Sequence, residues 1–343
     1  MIDYSTDELY EFFLKRPHIC ILGAGATMAA IPNGDYYGNK SSVMNNFIGN
    51  LGLKDIIQKA TLETTSNNFE DIYSEMDSRS DCIVLKQSLE NKIINYFRNL
   101  RIPNNPTIYD YIIASLRRKD YIFSFNWDPL IIQAYRRVSA LTEDLPLLVF
   151  LHGNVGMKIC SNCERIQSVE NSHCCVCNST DFDAPKILFP IKNKDYTTNP
   201  YLKKAWELFL EVITDCTYLT IFGYSAPKSD SKAVDAMQSA FNSKFRRLDS
   251  IEIIDIDSPE VIREKWSPFI NGTNEHYKIT NSFWDSSFVE FPRRTIEGYC
   301  KRNIKGWWGR TNMQLHKCKT FIEFEQLFIP IIAEDRKDNY DTL

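Results

Sequence analysis

Five short apolar runs constrain the fold of this chain more than any other feature: HICIL (18–22), YIFSF (121–125), LLVFL (147–151), TYLTIF (217–222) and IEIID (251–255). Each runs directly into glycine or into a polar side chain. HICIL is followed by Gly23-Ala24-Gly25, YIFSF by Asn126 and Asp128, LLVFL by His152 and Asn154, and TYLTIF by Gly223 and Ser225, while IEIID ends on Asp255 with Asp257 beyond it. A further apolar run at 186–189 is expected to join them. Continuous apolar runs of this length suit strands buried on both faces. Helix-like segments alternate with them, such as 200–213 and 231–246. That alternation specifies an α/β fold with a parallel sheet covered by helices on both sides. Ligands of such sheets bind outside the carboxyl ends of the strands, so five sets of unusual residues are expected to meet at one crevice.

The rest of the chain divides around this framework. With 343 residues, 43% of them hydrophobic, the chain can bury a large core as one domain with insertions or as two domains. Residues 1–35, 120–155 and 183–290 are expected to form the sheet domain, 36–119 a helical insertion, 156–182 a small metal-binding module and 291–343 a C-terminal segment. The first segment, 6–16, reads as a helix, because Ser5-Thr6-Asp7-Glu8 has capping-box spacing. Helical periodicity also marks LKQSLENKIINYFRNL and IYDYIIASLRRK inside the insertion. A net charge of −4 argues against nucleic acid or an anionic membrane as a general partner. No apolar run approaches the ~20 residues of a membrane span, and the acidic start MIDYSTDELYEFF lacks the pattern of a secretory signal. A cytoplasmic location is the expectation.

Each polar strand end has an ordinary explanation beside a functional one. Gly23-x-Gly25 lets a backbone approach a phosphate at a helix N-terminus, or simply makes a tight turn. A dinucleotide-dehydrogenase fingerprint would need a third glycine where Met28 stands and an acid ~20 residues later; that later stretch reads VMNNFIGN. Asn126 and Asp128 are also good helix caps, as is Asp230 ahead of SKAVDAMQSAF. His152 alone is as compatible with a structural role. Their shared position at strand ends favours the functional reading.

The cysteines carry the most specific signal. CSNCERIQSVENSHCCVC holds Cys160-x2-Cys163 and Cys174-x2-Cys177, with His173 and Cys175 as spare candidates. Four thiolates in two such pairs suit tetrahedral zinc with no open position, the structural kind of site. The ten residues between the pairs are fewer than the usual spacing.

Taken in order, GAGAT with Ile31-Pro32 behind it, FNWD, LHGN, the two CxxC pairs directly after the histidine, FGYS and IIDID resemble the sirtuin family of NAD-consuming enzymes, over roughly residues 18–260. The resemblance implies an inverted Rossmann-type sheet with a helical insertion and a structural zinc module. It implies a phosphate-binding loop at Gly23, Ala24, Gly25 and Thr27, a nicotinamide-side motif at Asn126 and Asp128, a catalytic histidine at His152, and cofactor contacts at Gly223 and Ser225. Asp255 stands where the family often has an asparagine near the adenosine ribose. The chain departs from the deacylating members. AAIPNGDYYG lacks their Phe-Arg pair, Ser124-Phe125-Asn126-Trp127-Asp128 keeps only the Asn and Asp of the Thr-Gln-Asn-Ile-Asp motif, and KILFPIKNKD replaces the strand leading to a Phe-Gly-Glu peptide loop. This pattern is similar to sirtuin-like domains of bacterial anti-phage systems, which destroy NAD.

The likeness supplies a chemical reason for polar groups after YIFSF. Breaking the nicotinamide–ribose bond develops positive charge on the ribose and needs a nucleophile on its far face. Asn126 is expected to position the water or ribose, Asp128 to orient the nicotinamide amide and His152 to act as general base. Trp127 is expected in the core. An NAD hydrolase is the leading expectation, with an NAD-dependent protein deacylase and a non-catalytic NAD or ADP-ribose sensor as alternatives. A hydrolase of this kind implies control by a homo-oligomer or by a regulatory protein partner encoded nearby. Beyond 290, Thr320-x-x-Glu323 opens a helix whose apolar face (Phe321, Phe324, Leu327, Phe328) is expected to end at Pro330 and to pack on the main domain or on a partner. KRNIKGWWGR (301–310) mixes basic residues with two tryptophans, a composition also seen where bases stack, but one such run in an acidic chain is weak evidence for nucleic acid.

Overall fold

The computed structural model describes residues 6–41, 46–183, 187–191, 194, 196, 199–244, 249–273, 276–306 and 315–335. Its strands are β1 (His18–Leu22), β2 (Tyr121–Ser124), β3 (Leu147–Phe150), β4 (Met157–Cys160), β5 (Ile166–Ser168), β6 (Phe182–Asp183), β7 (Tyr218–Phe222), β8 (Ser250–Ile254) and β9 (Tyr277–Thr280). Six of them form a parallel sheet in the order β3-β2-β1-β7-β8-β9. Leu22 pairs with Ser124 and Phe222, Ser124 with Phe150, and Phe222 with Ile254. The five apolar runs therefore end in one row, and their polar tails leave the sheet along a single edge. The chain builds outward from β1 to β2 and β3, then returns to β1's other side with β7. This reversal is the topological switch point, where the crevice of such sheets opens.

Alternation within β1 sends Ile19 and Ile21 to one face and Cys20 and Leu22 to the other, and each pair joins a different apolar core. Helices Pro200–Ile213, Ser231–Phe241 and Pro259–Ile270 cover the first face. The second is covered by helices Ala24–Ala30, Ile108–Ala114 and Leu130–Val138, with helices Phe69–Ser78 and Ile83–Arg98 of the 36–119 segment beyond. Trp127 lies in this core, with Phe47, Phe97 and Phe189 rings at 6.1, 5.9 and 5.2 Å. β4, β5 and β6 make a separate antiparallel sheet that carries the cysteines.

Two local readings are corrected. The apolar run at 186–189 is not a strand in its described part; residues 187–191 are irregular. Pro190 has no N–H to give a ladder. Leu188 N instead donates to the His152 carbonyl at 2.9 Å, and the Phe189 ring stacks on Tyr73 at 5.1 Å. The helix expected to stop at Pro330 runs from Phe321 to Asp335, with Pro330 exposed and Phe324, Phe328, Ile331 and Ile332 buried in the main core. Its start is capped as the spacing implies, with Glu323 N donating to Thr320 Oγ1 at 3.2 Å. Its end is tied down by ion pairs, which keep it helical beyond the proline. Trp307 and Trp308 lie outside the described residues, as does Ser5 of the N-terminal capping box.

Arg293 is the centre of that anchorage. Its guanidinium is almost wholly buried, and donates to Asp335 Oδ2 at 2.7 Å, Asp144 Oδ2 at 2.6 Å and the Leu116 carbonyl at 3.2 Å. Replacing one member of a buried pair leaves an uncompensated charge, which typically costs ~3–5 kcal/mol. Because Arg117 also reaches Asp335, at 3.5 Å, Arg293→Met should cost about 3 kcal/mol, at the low end of that range. Urea unfolding checks this; a loss below about 1 kcal/mol, the scale of an exposed pair, would mean that the C-terminal helix is held by its apolar face alone.

Candidate active site and metal centre

At the switch point the turns after β1 and β7 touch backbone to backbone. Gly23 N donates to Phe222 O at 3.0 Å and Gly25 N to Gly223 O at 2.9 Å. A Cβ on Gly23 would lie 2.4 Å from Gly223 O, and one on Gly223, where φ is +59°, 2.3 Å from Ala26 N. The glycine spacing thus has a packing cause, because any side chain here would force the two turns apart. Thr27, one turn into the short helix, is buried and points its hydroxyl inward.

That hydroxyl anchors a network beneath the β2 tail. Thr27 Oγ1 donates to Asp128 Oδ2 at 2.9 Å and lies 2.6 Å from the Tyr109 hydroxyl. Asn126 Nδ2 donates to Gly23 O at 2.9 Å and Thr27 Oγ1 at 3.0 Å, and reaches Tyr109 OH at 3.2 Å. A carbonyl can only accept, so the contact to Gly23 O fixes which way the amide faces. Oδ1 is left with no hydrogen bond among the described residues. Asn154 braces the same tail from β3, its Nδ2 donating to the carbonyls of Asn126 at 3.2 Å and Asp128 at 2.6 Å. The capping explanation holds in part for Asp128, whose Oδ1 accepts from Leu130 N at 3.1 Å; Asn126 caps nothing. Burial pushes the Asp128 carboxyl up to about 6, against the Thr27 and Leu130 hydrogen bonds.

A second network surrounds His152, on the other side of Phe125. The Phe125 ring meets His152 edge-on at 4.8 Å and stacks on Tyr224 at 4.1 Å. Asp230 Oδ1 is 3.5 Å from His152 Nε2 and also receives Lys194 Nζ, while Oδ2 accepts from Tyr224 OH at 2.8 Å. Asp230 precedes helix Ser231–Phe241 but makes no side-chain capping bond, so the capping explanation fails there. Ser229 Oγ links Lys194, at 3.4 Å, to Glu70 of helix Phe69–Ser78, at 2.9 Å. Burial lowers His152 to about 3; Asp230 opposes this and Lys194 adds to it. Burial pushes Asp230 up, yet His152, Lys194 and Tyr224 together hold it below its ordinary value. The imidazole is therefore neutral near pH 7, with a proton-accepting nitrogen.

The remaining expected site residues lie further along the edge. Ser225 is exposed in the turn after β7, and Asp255 is half-buried after β8, where its Oδ1 accepts from Asp257 N at 3.2 Å. Neither bonds to the two networks. Tyr109, Lys194, Tyr224 and Glu70 are given no role by the sequence: Tyr224 lies inside FGYS and Lys194 inside KILFPIKNKD, but neither pattern marks the side chain as inward-facing.

The four cysteines converge. Cys160 and Cys177 sulfurs lie 3.5 Å apart, Cys163 and Cys174 3.4 Å apart, and all four within 4.8 Å of one another. Zinc–sulfur bonds of ~2.3 Å in a tetrahedron place sulfurs ~3.8 Å apart, so the cluster has the size and donor set for one structural zinc. Both pairs use the same turn. Glu164 N bonds to Cys160 O and Asn178 N to Cys174 O, at 2.8 and 3.0 Å, with φ of +56° at Glu164 and +59° at Asn178. Cys175 is exposed and outside the set, and His173 bonds to Ser172. The four-cysteine cluster could hold a zinc ion with no position left for substrate.

No described helix is long and apolar enough to cross a membrane. No protein-family model matches the chain, and no curated protein matches it. Among solved structures, the chain is similar to one from a study of the mechanism and regulation of Sir2 enzymes, at 13% identity and TM-score 0.38, covering 80% of this chain and 98% of that one. It is similar to a Sir2 homologue mutant in complex with ADP-ribose at 12% identity and TM-score 0.40, covering 88% and 99%. A Sir2 mutant with a peptide and NAD matches at 16% identity and TM-score 0.36, covering 86% and 98%.

Proposed function

We propose that this protein is an NAD glycohydrolase that converts NAD and water to nicotinamide and ADP-ribose. One observation carries the reading: Asn126 is locked by its amide nitrogen and keeps Oδ1 free at the switch-point edge, the edge from which the neutral His152 also emerges. In the proposed reaction the nicotinamide–ribose C–N bond breaks and nicotinamide leaves with the bonding pair. A water oxygen bonds to the ribose carbon and its proton passes to a base. Asn126 Oδ1 accepts a hydrogen bond from that water or from a ribose hydroxyl, and His152 takes the proton. Asp128, assigned to the nicotinamide amide by resemblance, also holds Thr27 in place and so acts on Asn126 from beneath. The Gly23–Gly25 turn, Gly223, Ser225 and Asp255 form the side of the crevice given to the phosphates and ribose. The zinc cluster shapes the fold and takes no part in the step.

Unrestrained NAD hydrolysis would exhaust the cell that made the enzyme. The proposal therefore includes restraint, through self-assembly or a protein partner, in the manner of a bacterial anti-phage effector. Incubation with NAD, with and without acetylated peptide, at several protein concentrations, tests the reading by product analysis. Nicotinamide and ADP-ribose should appear at a rate indifferent to peptide. Peptide-dependent nicotinamide release with an acylated sugar product would make the protein a deacylase, and saturable binding with NAD recovered intact would make it a sensor.

A further inference from the structure

A positive charge from the chain itself stands beside the proposed base. Lys194 is buried, with 8% of its surface exposed, and its Nζ contacts Asp230 Oδ1 and Ser229 Oγ. The same carboxylate oxygen faces His152 Nε2 at 3.5 Å, yet Nε2 is buried with no hydrogen-bond partner. Leaving a buried polar nitrogen unmatched is unfavourable, and a carboxylate beside it is the natural partner. Here Lys194 has claimed the near oxygen and Tyr224 the far one.

We propose that Lys194 and His152 compete for Asp230, so that Lys194 is a built-in electrostatic restraint on the histidine and Asp230 its positioning residue. This rests on the reading of His152 as the base. With Lys194 on Asp230, an imidazolium at position 152 would face a cation whose counter-charge is already taken. With Lys194 withdrawn, Asp230 Oδ1 is free to accept from Nε2–H, and the other ring nitrogen gains basicity as carboxylate-paired histidines do. Among the described residues, the charged or titratable groups facing the imidazole belong to this set. Asp230 lies on the β7-side turn, Lys194 and Tyr196 come from the segment after the zinc module, Tyr224 stacks on Phe125, and Glu70 reaches the set through Ser229. The direction of the His152 shift, in which Lys194 reinforces burial, agrees with this geometry.

The test replaces Lys194 with methionine, which keeps length and apolar contact but loses charge, and follows the His152 imidazole by NMR on histidine-labelled protein, assigned with His152→Gln. In the wild-type protein the His152 signal should stay neutral down to at least about pH 5. In Lys194→Met its midpoint should rise by about one pH unit or more, because the buried carboxylate then takes its counter-charge from the imidazole. The double variant Lys194→Met/Asp230→Asn, with no buried charge left, should return the midpoint to the wild-type range. NAD turnover in Lys194→Met should rise by about tenfold near pH 7.5 and acquire an acid limb at the new midpoint. If Lys194→Met does not fold, Lys194→Leu, which likewise has neither the charge nor a hydrogen bond to Asp230, is read in the same way. An unmoved midpoint in a folded variant overturns the inference, whether or not NAD is cleaved. A raised midpoint in a protein that cleaves no NAD would uphold the competition and overturn the hydrolase reading instead.

Discussion

Asn126→Ala will lower NAD turnover by about three orders of magnitude, the loss associated with removing one well-placed polar group from a site where charge develops. The amide nitrogen is held from below by Gly23 O and Thr27 Oγ1, with Tyr109 OH 3.2 Å away, so the free oxygen has little freedom to lose when a substrate arrives. Alanine removes that oxygen and also the amide's hydrogen bonds to Gly23 O and Thr27 Oγ1; Gly23 O still accepts from Ala26 N at 3.0 Å, so the cost should be that of the lost bonds, about 1–2 kcal/mol of stability. The two effects separate cleanly. Thr27→Val strands the same network from its other end and should cost a similar ~1–2 kcal/mol, but it leaves Asn126 Oδ1 in place, so turnover should fall far less. Turnover per folded molecule, with urea midpoints measured in parallel, decides the matter. Asn126→Ala retaining more than about a tenth of wild-type turnover, against the hundredfold or greater loss expected for such a group, would remove Asn126 from the mechanism and leave it a structural amide.

What the sequence disclosed, and what it hid, follows from which residues had to be contiguous. A strand buried on both faces is mostly apolar, so β1, β2, β7 and β8 announce themselves, as does β3, an edge strand that is apolar throughout although its Leu147 is exposed, and their polar tails stand out by contrast. β9 does not, because it is the half-exposed edge strand and mixes Tyr277, Lys278 and Thr280 with a single Ile279. The 186–189 run looks like a strand by composition, but Pro190 and the bond from Leu188 to the His152 carbonyl tie its described part to the turn after β3 instead of to a sheet. An Asp ahead of a helix reads as a cap; at Asp230 the carboxylate turns instead to Lys194 and Tyr224, a choice made by residues 36 and 6 positions away. Tyr109, 17 residues before Asn126, reaches the site on a helix whose own signal, the Thr107–Asp110 capping box, describes only where that helix begins. Motif spacing therefore placed Asn126, Asp128 and His152 at one edge of the sheet, where the structure has them. It could not show the inward-facing groups that orient them, since these come from three separate segments.

Removal of zinc is expected to have the largest effect on the fold. The freshly purified protein should contain one zinc per chain, and Cys163→Ser should release it. A structural zinc supplies ~10–16 kcal/mol of binding free energy that is also folding free energy, and the small sheet of β4, β5 and β6 has little apolar core of its own to replace it. The consequence should not stop at the module. Met157 N bonds to Asn154 O, Gly156 N to Asn154 Oδ1 and Val169 N to Gly156 O. β4 thus starts from the residue whose amide holds the carbonyls of Asn126 and Asp128. Loss of the metal should therefore lower NAD turnover without any zinc-bound step, and turnover should fall in proportion to metal lost as a chelator is titrated. Cys175→Ser, changing an exposed thiol outside the cluster, should keep both metal and activity. Thiol counting in native protein should show four more reactive cysteines after chelation than before, because each ligand is a thiolate masked by the metal. Freshly purified, chelator-free protein without zinc would refute the assignment. A Cys163→Ser protein that kept its metal would show that Cys175 or His173 completes the site, and retained turnover after full metal loss would break the link through Asn154.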